Sequence, residues 1–326
     1  MKQYHIDQIQ QAVDAIKARG NKVDHFFFVA CGGSKALFEP AQYIMDRETE
    51  IPCTVYSSNE FVHRMPKGFT ENSVFVSCSH SGNTPETVKA TELAKAKGAV
   101  TISLSHLEDS PLWNATGYGL HYDWKEEGDA SNYQRAILYR LVFSILNLLQ
   151  PNEKYEKAIE SIEALPSVIE ANCAKYMASA DEFGSSYKRE PMIYTMASGA
   201  CYGPAYSFAI CLLMEMMWVN SHAIHSGEYF HGPFEITDYD VPFLMIKSLD
   251  ECRPLDERAY NFLSKYSKRV TLVDCADFNM TGIDESVRGY FAPVVLDSVL
   301  RCYADALADH KGHPLSVRRY MWRMQY

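Results

Sequence analysis

The sequence predicts an α/β protein made of two similar domains in tandem, each a parallel sheet flanked by helices. Three observations lead there. Short apolar runs alternate with helical stretches through the first half of the chain, the pattern of a parallel sheet covered on both faces. The chain has 326 residues, which suggests two domains or one large one. The strand, small-residue turn and helix that begin at Phe26–Ser34 (FFFVACGGS) return in weak form at Ile193–Cys201 (IYTMASGAC).

The elements follow in order. Residues 1–20 (MKQYHIDQIQQAVDAIK and on) read as an amphipathic helix, not a signal peptide. Residues 21–150 form the first domain. Asp24–Ala30 is an apolar strand ending in the turn Cys31-Gly32-Gly33-Ser34, with a helix from Lys35. Cys53–Tyr56, Ser73–Ser77 and Val100–Leu104 are further buried strands. Thr84–Lys97 has helical spacing and stops at Gly98. Residues 151–186 change character: Glu153, Lys154, Glu156, Lys157 and Glu160 mark polar connecting helices. Residues 187–326 form the second domain. Its strands are Pro191–Met196, Val241–Ile246 and Val270–Val273, and its helices include Pro254–Lys265 and Val294–Asp309.

Composition removes several function classes. The chain is 47% hydrophobic and 22% charged, ordinary for a globular protein. A net charge of -10 without a Lys/Arg cluster argues against nucleic acid as a partner. An anionic substrate must then be held by local groups and not by the overall field. No apolar run reaches membrane-spanning length, because Glu215 interrupts the longest candidate, Ala205–Val219. Nine cysteines, an odd number without any CxxC, fit reduced thiols in a cytoplasm.

Two regions carry chemistry. In the first, Ser77-Cys78-Ser79-His80-Ser81-Gly82-Asn83-Thr84-Pro85 follows an apolar strand and opens a helix. Thr84 suits the N-cap and Pro85 the first helical position. A helix start offers unpaired N–H groups and the positive end of its dipole to an anion. Ser79, Ser81 and Thr84 add hydroxyl donors, and Ser34 at the first turn could close the same site from the next strand. A polar capping loop remains an equal reading of these residues. Neither GxxxxGK[ST] nor GxGxxG occurs, so a nucleotide is not indicated.

In the second region, Glu215 is the lone charge on an apolar helix read as a core element. Cys211, Leu212, Trp218 and Val219, its neighbours at helical spacing, cannot pair with it. Desolvation should raise its pKa and make it a poised base, although a structural carboxylate at a helix edge is an equal reading. His231 stands before Gly232-Pro233 in a loop that fixes its place, and its free pKa suits proton transfer, although by itself a surface or packing histidine is the commoner reading. His222, His225, Glu228 and His231 recur every three residues. The Ser226-Gly227 break and the lack of HExxH argue against a metal site. Arg318, Arg319 and Arg323 read as surface charges, with contact to a substrate carboxylate as the alternative.

With these residues in view, the chain resembles the SIS (sugar isomerase) family. The motifs are the Cys31–Ser34 turn, Ser79-His80-Ser81-Gly82-Asn83-Thr84 and Glu228-x-x-His231-Gly232-Pro233. Within it, the chain is most similar to the bacterial fructosamine 6-phosphate deglycases, through MASGA-x-YG-x-AYS, LMEM-x-W, HSGEYFHGPFEI and HPL-x-x-RRYMW. The resemblance implies two tandem SIS domains, each a flavodoxin-like three-layer sandwich. It puts substrate phosphate on Gly33, Ser34, Ser79, Ser81 and Thr84, with His80 adjacent, and the catalytic pair on Glu215 and His231. It also implies a homodimer or higher homo-oligomer with shared active sites, the histidine coming from the neighbouring subunit.

The implied reaction is hydrolysis of a 6-phosphorylated fructosamine to glucose 6-phosphate and a free amino acid, with no metal or organic cofactor. Related aminosugar synthases carry a lysine three residues before the catalytic glutamate, where this chain has Leu212, and a glutaminase domain ahead of the sugar domains. Both differences favour deglycation over amination. The rivals are an aldose–ketose phosphosugar isomerase and a non-catalytic sugar-phosphate sensor. The amine stays open among lysine glycated on its side chain, an α-glycated amino acid and glycated aspartate.

Overall fold

The computed structural model describes residues 1–324. They divide into two units: Met1–Pro166 with Thr281–Val287, and Ser167–Met280 with the chain from Arg288 onward. The first boundary falls inside the helix Leu165–Tyr187, and the short segment Thr281–Val287 lies just ahead of the helix Arg288–Lys311.

Unit one runs α1 (Gln3–Lys17), β1 (Phe26–Ala30), α2 (Gly32–Glu48), β2 (Cys53–Ser57), α3 (Ser58–His63) and β3 (Val74–Cys78). It continues with α4 (Pro85–Ala96), β4 (Val100–Ser105), α5 (Pro111–Ala115), β5 (Tyr118–His121), α6 (Gln134–Leu149) and α7 (Glu153–Ser161). The strands make one parallel sheet in the order β2-β1-β3-β4-β5. Every residue of β1, β3 and β4 is buried, as in a sheet covered on both faces; β1 (FFFVA) is an unbroken apolar run, while β3 (VFVSC) and β4 (VTISLS) bury serine and threonine as well. The edge strands β2 and β5 are only partly covered. On one face, Phe27, Phe61 and Phe69 pack edge-to-face, with Phe27–Phe69 and Phe61–Phe69 centroids both 5.1 Å apart. Such pairs each add about 0.5–1.5 kcal/mol beyond area burial. The polar interruption at Ser77 is satisfied internally, at 2.7 Å from the Ser103 hydroxyl and 3.0 Å from Thr91.

The helix α8 (Leu165–Tyr187) leads into unit two. There β6 (Met192–Ala197) is followed by α9 (Tyr202–Ser207), which opens into a π-helix over Phe208–Met216. Then come β7 (Asn220–His225), β8 (Phe243–Lys247), α10 (Arg253–Tyr266), β9 (Val270–Asp274) and α11 (Arg288–Lys311). Its parallel sheet has the order β7-β6-β8-β9, the same path as β2-β1-β3-β4. The weak repeat in the sequence is therefore a repeat of topology, with β6 standing where β1 stands.

Two readings are corrected. The helix around Glu215 is not a regular α-helix but a wide π turn, a form frequent at functional sites. Its apolar surroundings gave no periodicity from which to see this. Nor is it wholly a core helix, since Met214 and Trp218 are exposed. His222 and His225 lie on β7, and Glu228 and His231 in the loop beyond it, so the four share no helical face. Among the described residues no disulfide forms, and no helix is long and apolar enough to cross a membrane.

Candidate functional site

In a doubly wound sheet, ligands collect at the carboxyl ends of the strands where the chain path reverses. In unit one that point lies at β1 and β3, which are paired with Ala30 opposite Cys78. The turn Cys31–Ser34 leaves β1 there, and the loop Ser79–Thr84 leaves β3. The Ser34 hydroxyl bonds the Cys78 thiol, tying the two turns together. The structure thus brings Gly33, Ser34, Ser79, Ser81 and Thr84 to the carboxyl ends of two neighbouring central strands of one sheet.

The loop is held firmly. Gly82 has φ of +65°, and a Cβ there would lie 2.0 Å from the Ser110 hydroxyl, so no other residue fits without movement. Its N–H donates to Ser79 O at 3.1 Å, and its carbonyl accepts from Leu112 N–H at 3.0 Å. Thr84 occupies the N-cap and Pro85 the first helical position, but the Thr84 hydroxyl meets the Ser79 hydroxyl at 2.9 Å and no helix N–H. Ser79 is buried, while His80, Ser81 and Asn83 are exposed. His80 shares a hydrogen bond with Tyr122 Oη at 3.0 Å and stacks on His106, with centroids 5.2 Å apart. Although the residue as a whole is exposed, desolvation of the ring where it packs on Tyr122 and His106, and secondly the His106 charge, push its pKa below the ordinary histidine value.

Unit two carries the corresponding turn in a different setting. Gly199 is the counterpart of Gly32 in the repeat, and their φ values are +55° and +56°. At Gly199 an added Cβ would lie 2.5 Å from Oδ1 of Asp250, whose carboxylate fills the space before the turn. Asp250 accepts N–H groups from both turns, Ala200 at 2.9 Å and Cys252 at 2.8 Å. At Gly32 a Cβ would meet no atom within 4 Å. The second unit therefore fills the space before this turn with a carboxylate of its own, and in the first unit no protein atom takes that place.

Glu215 lies on the π-helix of unit two, with a quarter of its side chain exposed. It borders a pocket of about 510 Å³ lined in part by Met214, Trp218, Arg319 and Tyr320. The reading of Arg318 as a surface charge is overturned. Arg318 is only 7% exposed, and its Nη2 lies 3.0 Å from Glu215 Oε1. That contact spans the second domain from its first crossover helix to the C-terminal segment, which is why helical spacing around Glu215 missed it. Burial is the largest influence on Glu215 and raises its pKa; the Arg318 charge and hydrogen bond pull the other way without cancelling it. The result is a carboxylate stronger as a base than one in water.

His231 is exposed on the loop after β7, its N–H bonded to Glu228 O at 2.9 Å. It does not line the Glu215 pocket, and among the described residues no hydrogen bond or ion pair joins the two. One further cluster, His5, His121 and Asp123, gathers three metal-type ligands in unit one. A cation is already built in there, since Lys2 Nζ lies 2.7 Å from Asp123 Oδ2.

Comparison with known proteins accords with this geometry. The SIS domain family model matches residues 21–144. Fructosamine deglycase FrlB of Bacillus subtilis (strain 168) is 51% identical over 309 residues, covering 94% of each chain. Fructoselysine 6-phosphate deglycase of Escherichia coli (strain K12) is 28% identical, covering 91% of this chain and 85% of that one. A Bacillus subtilis crystal structure described as a phosphosugar isomerase superposes with a TM-score of 0.96 at 49% identity, covering 100% of both chains. With that identity across nearly its whole length, and with the same two sheets and turns, the chain belongs to the SIS family.

Proposed function

We propose that this protein is a deglycase that hydrolyses a 6-phosphorylated fructosamine, the Amadori adduct of an amino acid, to glucose 6-phosphate and the free amino acid. The observation that carries the reading is Glu215, a lone carboxylate on an apolar helix whose burial raises its basicity beside a pocket. The deglycase names of its relatives agree with it.

In this reading the substrate phosphate is taken by Ser34, Ser79, Ser81 and Thr84, with Gly33 letting it approach the backbone and His80 beside it. His231 moves a proton to or from the ring oxygen and opens the sugar. Glu215 then takes a proton from C1, which the C2 carbonyl makes acidic, and an enolamine forms. Return of a proton at C2 leaves the imine of glucose 6-phosphate. Water adds to C1 of that imine, the C–N bond breaks, and the amine departs with the proton it needs. The overall change consumes one water, so the enzyme is a hydrolase of a carbon–nitrogen bond. No metal or organic cofactor has a part in these steps. The protein works as a homodimer or larger homo-oligomer in the cytoplasm, with His231 serving the neighbouring subunit's site.

The test is turnover of three substrates, the fructose 6-phosphate adducts of lysine Nε, of an α-amino group and of aspartate. Free amine and glucose 6-phosphate should appear in equal amounts from at least one. Interconversion of fructose 6-phosphate and glucose 6-phosphate without amine release would make it an isomerase. Binding of sugar phosphate with no turnover at all would make it a sensor.

A further inference from the structure

We propose that Arg318 is a positioning residue for this reaction: carried on the C-terminal segment, its guanidinium holds the Glu215 carboxylate ionised and aimed. The inference rests on the reading of Glu215 as the base.

The geometry separates Arg318 from an ordinary surface arginine. Its Nη1 donates to Leu315 O at 2.6 Å and Val317 O at 3.0 Å, so its own backbone locks the head while Nη2 meets Glu215. In this orientation its Nε is buried without an acceptor. An unsatisfied buried donor is costly, and such costs persist where something else dictates the orientation. The segment that carries Arg318 is clamped to the end of the π-helix. His313 Nε2 lies 3.0 Å from Met216 O, the His313 ring meets Trp218 at 4.5 Å, and Arg319 lies over Trp218 at 4.2 Å. Trp218 itself holds a left-handed φ of +56°, the strained stop that ends the helix and offers its ring to the clamp.

No other charge does this work. Arg319 and Tyr320 line the same pocket and His313 holds the helix end. Cys211 lies one turn back, and His222 and His225 belong to β7, Asp305 and Asp309 to α11, elements packed on this helix. Among the described residues, only Arg318 pairs with Glu215. Burial favours the protonated carboxyl, which cannot accept a proton from C1. The guanidinium opposes that and fixes one oxygen, leaving the other for the substrate. Removing Arg318 should therefore move the pH at which the base becomes active, an effect that lost packing alone does not produce.

The experiment is the pH profile of kcat/KM for the parent, Arg318→Gln and Arg318→Lys, using whichever of the three adducts turns over fastest. Arg318→Gln should shift the acid limb upward by about one pH unit or more, the size of effect of a neighbouring opposite charge on a carboxylate. Arg318→Lys should keep the limb near the parent's but lower kcat at unchanged KM, because an ammonium restores charge and not the planar fork. A limb in Arg318→Gln that superimposes on the parent's overturns the inference, whatever the plateau rate. Should Arg318→Gln fail to fold, Arg318→Lys decides: reduced kcat at unchanged KM supports the role, and parental kcat overturns it. Glu215→Gln separates the two levels. If it stays active, the base assignment fails; if it is inactive and the Arg318→Gln limb is unmoved, only the role of Arg318 fails.

Discussion

Arg318, at the C-terminal end of the chain, pairs with Glu215 on the first crossover helix of the second unit at 3.0 Å, with both side chains largely withdrawn from solvent. Its consequence is a carboxylate whose pKa is raised by burial yet restrained by a charge. The sign for activity follows. Below its pKa Glu215 is protonated and cannot take a proton from C1, so kcat/KM falls as pH falls through that value. Because the pKa is raised from 4.5, the acid limb should lie above 4.5. A profile of kcat/KM against pH checks this, and a limb at or below that value would contradict it.

The serine loop depends on Gly82. Gly82→Ala puts a Cβ onto Ser110 and forces a left-handed φ on alanine. It should cost about 1–3 kcal/mol of stability and weaken inhibition by inorganic phosphate roughly tenfold, about 1.4 kcal/mol of binding. Ser79→Ala should weaken the same inhibition while leaving thermal stability nearly unchanged. Equal inhibition of parent and both variants would show that phosphate binds elsewhere.

Unit two is tied at its strand ends by Asp256, which is fully buried. It accepts hydroxyls from Ser198 at 2.7 Å, Ser226 at 2.6 Å and Ser248 at 2.8 Å, besides the Ser248 N–H at 2.9 Å. These serines follow β6, β7 and β8 in turn. Asp256→Ala leaves all of those donors without an acceptor and should cost at least about 3 kcal/mol in urea unfolding. Asp256→Asn, which keeps one acceptor in place, should cost less. Equal stability of the two would contradict this account of the strand ends.

His231 is exposed and outside the Glu215 pocket, which suits a residue that serves a neighbour's site. Glu215→Gln and His231→Asn should each be inactive alone. Mixed, dissociated and reassembled, they should regain turnover, since some dimers then carry one intact pair. No recovery in confirmed mixed dimers would place both residues in a site of one subunit.

What was legible in the sequence follows from burial. β1, β3 and β4 are covered on both faces and announce themselves as short runs of apolar residues with small buried Ser or Thr. β5 (YGLH) and β7 (NSHAIH) are edge strands, half exposed, and their mixed composition hides them. The serine loop was legible because turn chemistry is local: Gly82, Thr84 and Pro85 each suit the conformation their position needs. Glu215 stood out for the same local reason. Its partner did not, because an arginine alone in sequence is best read as exposed, and only the tertiary path brings Arg318 to it. Asp250 was equally hidden, since a carboxylate in a later turn gives no sign in sequence that it packs against Gly199.

The central claim is that Glu215 takes the proton from C1, and Glu215→Gln tests it most directly, since the amide keeps the shape and loses the basicity. Turnover of the 6-phosphorylated fructosamine should fall by about 10²–10⁴-fold or more, with phosphate inhibition and folding retained. Turnover near that of the parent would contradict the account.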